Sequence, residues 1–186
     1  MRGMRAALLL AGLSVLLCSC RWQVVLCLKV PDRVQLNLDP GHLPNAQALK
    51  HIQLDLGYTF NNTDLLRLAL VHPSVGQINN ARLAWLGDAV LEMLVSHNVY
   101  KQMPSDEPGH LHKVRQSLVD TAACTRDADK LNLRQYMVIG KSFKPDAEHP
   151  TLHMVADLFE AVLGAVYVDA GYNLMAAQTV YDSHFV

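Results

Sequence analysis

With 186 residues, 51% of them hydrophobic and 18% charged, the chain has the composition of a globular protein built on one core. That excludes a disordered chain and leaves no comfortable room for two domains. The formal net charge of −1 hides an asymmetry: residues 1–31 carry Arg2, Arg5, Arg21 and Lys29 with no acid, while the rest carries 12 basic and 17 acidic groups, a net −5. A broad basic footprint for nucleic acid is therefore absent from the body, and any RNA contact there must be local or come from another subunit.

The N-terminal stretch "MRGMRAALLLAGLSVLLCSC" has a positive start, an apolar run from Ala6 to Leu17, and small residues at Cys18 to Cys20. The run is too short to span a bilayer and reads as a cleavable targeting leader over residues 1–29. Two leader types fit it: a transit peptide for an organelle (chloroplast or mitochondrion), and a secretory signal peptide as the alternative. In either case the mature protein is expected to have no membrane segment. Residues 30–45 hold Pro31, Pro40 and Pro44 with little periodicity, as a linker does, and the domain is expected over 46–186. Three of the four cysteines lie in the leader, so Cys124 has no internal disulfide partner and is expected to be a buried apolar residue.

Helical patterning begins near Ala46. "ALKHIQLDLGY" places Leu49, Ile52 and Leu56 on one face, and Gly57 follows as a C-cap. "NNTDLLRLALVHP" predicts a short helix capped by Asn62 or Thr63 and ended by Pro73. A long helix is expected from about Asn80 to Met103, and another from about Pro108 to Leu131. A loop with Gly140, Lys141, Lys144 and Pro145 leads to the most hydrophobic helix, Thr151 to about Asp169; Gly171 breaks it before a last helix, Asn173 to about His184. No alternating strand pattern exceeds four residues, so the body reads as all-α with six or seven helices.

Two of these helices carry acids among apolar neighbours. "LAWLGDAVLEMLV" holds Asp88 and, one turn later, Glu92; "TLHMVADLFEAVLGAVYVDAG" holds Asp157 and Glu160 at i and i+3, on one helical face. An ionised carboxylate in apolar surroundings costs several kcal/mol unless something positive compensates it. One solution is a shared divalent cation such as Mg²⁺, which prefers hard oxygen ligands. The other is pairing with Arg82, Lys113 or Arg115, or placement at a solvated edge. Spacing alone leaves both open.

The same residues carry a resemblance. "NARLAWLGDAVLE" resembles the ribonuclease III signature, usually N-E-R-L-E-F-L-G-D-A-V-L, and "VADLFEAVLGAVYVDAG" resembles the second acidic segment of that family. "GHLHKVRQSLVD", "IGKS" and "LGYTFNNTDLLRLALVHPS" are similar to three further family segments, in the family's order, over roughly residues 47–181. The resemblance implies an all-α endonuclease domain that homodimerises and cuts double-stranded or structured RNA with Mg²⁺ (or Mn²⁺). It places Asp88, Asp157 and Glu160 on catalytic, metal-ligating positions and Trp85 on an aromatic of the dimer interface, for which a plain core aromatic is the other reading. Lys141, Arg115 and Lys113 fall where basic groups approach the RNA backbone. In having a leader and a lone nuclease domain, the chain is most like short organelle and plant ribonuclease III-like proteins.

The departures matter as much. Ala84 stands at the metal-binding Glu of the signature, one turn before Asp88; Ala81 replaces the other signature Glu, His110 replaces a further acid, and Asp120 stands where Asn is usual. A methyl ligates nothing, and losing one placed electrostatic group typically slows a reaction by about 10²–10³-fold. Two functions follow: an endoribonuclease of weakened activity, or a catalytically inactive member of the fold that binds RNA or serves in a ribonucleoprotein particle.

Overall fold

The computed structural model describes residues 43–141 and 150–185. The leader and most of the linker lie outside them. Helix α1 (Ala46–Leu56) starts where the Asn45 side chain accepts the Ala48 N–H at 2.9 Å, and it ends on Gly57 in the left-handed conformation, φ 64°. Helix α2 (Thr63–Ala69) is capped by Asn62, which accepts the Asp64 N–H at 3.0 Å. It stops before Pro73, which opens a 3-10 turn, Pro73–Val75, instead of closing the helix.

Helix α3 (Ala81–Gln102) follows. The single helix expected over 108–131 is two helices, α4 (Pro108–Val119) and α5 (Thr121–Lys130). Asp120 divides them: its backbone is extended (φ −70°, ψ 164°) and its carboxylate accepts the Ala123 N–H at 2.7 Å as the N-cap of α5. Asp and Asn cap equally well, so this departure from the ribonuclease III pattern is chemically neutral. A 3-10 turn, Leu133–Tyr136, precedes α6 (Leu152–Asp169), capped by Thr151, and α7 (Leu174–Phe185) closes the domain. The fold is all-α, with seven α-helices and no strand among the described residues; an isolated parallel bridge joins Val71 and Val138.

Helix α6 is the axis of the core. It buries Val155, Leu158, Phe159 and every residue from Ala161 to Val166, and α2, α3, α5 and α7 pack around it. Its widest contact is with α3, and two glycines set how close the pair comes. A Cβ built on Gly87 would overlap the Glu160 carbonyl, and one on Gly164 would overlap the Leu83 carbonyl. The helix backbones touch at this point. Mid-helix glycine ordinarily costs about 0.5–1 kcal/mol relative to alanine, so close approach must repay it.

Asp169 ties the far end of α6 to the start of α2. Its carboxylate accepts the Tyr58 hydroxyl at 2.9 Å and the Asn61 and Asn62 N–H groups at 2.8 Å each. Burial and then this carboxylate push the Tyr58 phenol up to about 12. Cys124 is buried and free, as expected.

Gly164→Ala removes the space that the crossing needs. It should cost more than about 3 kcal/mol or prevent folding, measured by urea denaturation, because a backbone cannot yield as a side chain can. Alanine at exposed Gly109, where a Cβ meets nothing within 4 Å, is the control.

Candidate active site

The face that α3 turns inward consists of Leu83, Ala84, Gly87, Val90 and Leu91. Asp88 follows Gly87, so the glycine contact that seats α3 on α6 also sets Asp88 beside Glu160. Asp88 and Asp157 open to solvent and Glu160 is half-buried, the solvated-edge placement that spacing left open. The acids stand at the rim of the α3–α6 interface, because the inward arc of α3 is filled by apolar residues and Gly87.

The three carboxylates feel one another. Glu160 is pushed up to about 7, first by burial and then by the charges of Asp88 and Asp157. Asp88 is raised by burial and by Glu92 on the next turn. Asp157 is raised by burial, while His153 and His72 pull in the opposite direction. The buried Cys124 thiol donates to the Val119 carbonyl at 3.5 Å, and burial, then the charge of Glu160, push it up to about 12, so it stays protonated.

Among the described residues, no lysine or arginine forms an ion pair with Asp88, Asp157 or Glu160. The pairing considered from sequence, with Arg82, Lys113 or Arg115, is therefore not made. Arg115 turns away into a groove between α3 and α4, where its guanidinium donates to Ser96 Oγ at 3.2 Å and meets His112 Nδ1 at 3.2 Å. Lys113 is exposed on α4, and Lys141 is exposed at the end of the loop that precedes 142–149. His110 bonds Asp106 at 2.6 Å and takes no part in the carboxylate cluster. Ala84 is 6% exposed, its methyl packed in the core one turn before Asp88.

Trp85 is 78% exposed, which removes the reading of a core aromatic. With Met93 and Tyr100 it forms an unpartnered stripe along α3.

Two groups at the site were missed from sequence. His153 lies one turn before Asp157 on the same face of α6, a spacing that makes it legible in retrospect. His72 is separated from Asp157 by 85 positions and arrives through backbone pairing that no local pattern reveals. Its N–H donates to Val138 O at 2.9 Å, Val138 N–H to Leu70 O at 2.8 Å, and Asn80 N–H to Val71 O at 2.8 Å.

The donor chemistry suits a hard divalent cation: the charges of Asp88 and Asp157 both act on Glu160, no lysine or arginine pairs with the three among the described residues, and a cation would relieve that repulsion. The set is nonetheless incomplete, since among the described residues no three His, Cys, Asp or Glu side chains converge closely enough to hold an ion.

The ribonuclease-III-like family model matches residues 62–185. The chain belongs to that family. Ribonuclease 3 of Protochlamydia amoebophila is 38% identical over 140 residues, which cover 72% of this chain and 57% of that protein. Ribonuclease 3 of Nitrosomonas europaea is 38% identical over 120 residues, covering 64% of this chain and 49% of that one. The chain spans about half the length of the curated relatives it matches. Among solved structures, a nuclease domain of ribonuclease III from Campylobacter jejuni, described for flexibility in its dimer-forming region, is similar with a TM-score of 0.67 and 28% identity. That match covers 74% of this chain and 98% of that domain. Dicer from Pichia stipitis is similar with a TM-score of 0.54 and 28% identity, covering 68% of this chain and 55% of that one.

The position of Glu160 has a pH signature. With its folded value near 7 against an ordinary 4.5, the neutral acid lends stability that is fully present below 4.5 and lost as pH rises to 7. Glu160→Gln should therefore raise the melting temperature at pH 8, with a smaller gain at pH 5, in EDTA-treated protein.

Proposed function

We propose that this family member is an endoribonuclease of reduced activity acting on double-stranded or structured RNA in RNA processing, such as maturation of ribosomal or intron RNA. The observation that carries the reading is that the charges of Asp88 and Asp157 act on Glu160 while no lysine or arginine pairs with any of the three among the described residues. A protein with no use for a cation has no physical reason to keep three mutually repelling acids together. These residues would hold Mg²⁺ or Mn²⁺, which when bound activates water and offsets charge on the phosphodiester. The side chains fix the direction from which an RNA backbone approaches: across the solvent-open rim of α3 and α6, with Glu160 at the half-buried back. Ala84 supplies no oxygen, so the site works with a smaller charge set than the family signature provides. Lys113 and Lys141 are the basic groups proposed to meet RNA phosphates; Arg115, engaged with Ser96 and His112 in the α3–α4 groove, is not proposed for that role.

The second reading, a catalytically inactive member that binds RNA or serves a structural role in a ribonucleoprotein, is favoured by the buried Ala84 methyl and the lack of a converged ligand set. One assay separates them. On a duplex RNA with Mg²⁺, the wild type should cleave slowly, Asp88→Asn should abolish cleavage, and Ala84→Glu should raise the rate by about 10²-fold. A silent wild type with an active Ala84→Glu variant would establish the inactive reading.

The protein is also proposed to homodimerise through α3. A groove of about 440 Å³ lined by Met93, Ser96, His97, Tyr100, Leu111 and Arg115 opens beside the exposed stripe. Trp85→Ala should then shift the protein from dimer to monomer in sedimentation velocity; an unchanged dimer would reject this face. An organelle is the proposed location, on the strength of the acid-free, arginine-bearing stretch over residues 1–29, with the secretory pathway as the alternative.

A further inference from the structure

The carboxylate cluster poses a problem for any polyanion that approaches it. Asp88, Asp157 and Glu160 face the solvent with no lysine or arginine paired to them among the described residues, and the body of the chain is net acidic. A phosphodiester entering such a rim is repelled unless a cation or a hydrogen-bond donor stands there to receive it, and a donor is needed wherever the phosphate lies beyond the cation's reach.

One exposed group stands at that position. His153 occupies the first turn of α6, one turn before Asp157, so its ring projects on the same face as the acids. Its Nδ1 lies 3.4 Å from Thr121 Oγ1, at the first position of α5. When the threonine hydroxyl donates to Nδ1, the ring is held with its proton on Nε2, and no partner for Nε2 is present among the described residues. The other side chain acting on Asp157 is His72, whose Nδ1 is engaged with Ser74 through its hydroxyl at 2.8 Å and its N–H at 3.1 Å. His72 therefore belongs to the wall of the site, and His153 to its solvent edge. Metal ligation is the weaker use of His153, since imidazole is a poor ligand for Mg²⁺ and no three donors converge here.

We infer that His153 is a substrate-positioning residue whose Nε2–H donates to a non-bridging oxygen of an RNA phosphodiester at the edge of the Asp88–Asp157–Glu160 cluster. This rests on the proposed action on RNA and adds to it the contact that admits a phosphate to an acidic rim. Thr121, which orients the ring, acts through His153. The contact is with the sugar–phosphate backbone, so it carries no base preference.

The test is affinity for a short RNA duplex, measured by fluorescence anisotropy in Ca²⁺ in place of Mg²⁺ at two or more salt concentrations, with helix content checked by circular dichroism. His153→Ala should weaken binding about 3–10-fold, the usual net worth of one hydrogen bond at a solvent-exposed site. His153→Lys should restore or exceed wild-type affinity and steepen the dependence of log Kd on log salt by close to one, as an added phosphate contact does. Thr121→Val should lie between the wild type and His153→Ala. Equal affinities for wild type and His153→Ala, or an unchanged salt slope in His153→Lys, would overturn the assignment while leaving the proposed function standing. A wild type with no affinity for duplex RNA would overturn both.

Discussion

Everything at the candidate site depends on how closely α3 and α6 approach. Ordinary helix pairs keep their axes about 8–10 Å apart because side chains fill the space between them. Here Gly87 and Gly164 remove those side chains at the crossing, and the backbone of each helix rests against the other. An acid next to one glycine, Asp88, is thereby carried to an acid on the opposing helix, Glu160. The same contact that provides much of the core packing thus brings like charges together, an arrangement that packing alone would not select. Stability and site are coupled through one point in the fold, and a change that loosens the crossing disperses the carboxylates as well.

Ala84 alters this arrangement from the inside. It lies on the buried arc of α3, so the missing oxygen leaves no open vacancy at the rim: its place is taken by a methyl packed in the core. One fewer negative charge also means less repulsion on Glu160, whose elevated value already reflects Asp88 and Asp157. On the proposed reading the core is kept intact, and the site would bind a cation less firmly than a fuller carboxylate set would. The proposed role of His153 fits the same pattern, a donor at the edge of a site whose acids have no lysine or arginine paired to them among the described residues.

Much of the fold was legible from the sequence because caps and breakers are local. Gly57, Asn62 and Gly171 mark helix ends where their side-chain or backbone chemistry requires them. The division of 108–131 at Asp120 was missed because its flanks are equally helical, and a cap inside a continuous pattern looks like an ordinary polar residue. The three acids were legible as a group, but their exposure was not: apolar neighbours in sequence do not reveal which arc of a helix meets solvent. His72 was out of reach altogether, since it depends on pairing between segments more than 60 residues apart. The leader and most of the linker lie outside the described residues, so the reading of them rests on sequence.

The central claim is that Asp88, Asp157 and Glu160 form one cation site that Ala84 leaves incomplete. Its most direct test is Mn²⁺ binding, followed by electron paramagnetic resonance on the wild type, Asp88→Asn, Glu160→Gln and Ala84→Glu. The account predicts weak binding by the wild type, loss of it in Asp88→Asn and in Glu160→Gln, and at least tenfold tighter binding in Ala84→Glu. Binding that is indifferent to Asp88 and Glu160, or no gain from the added carboxylate in a folded Ala84→Glu protein, would contradict it.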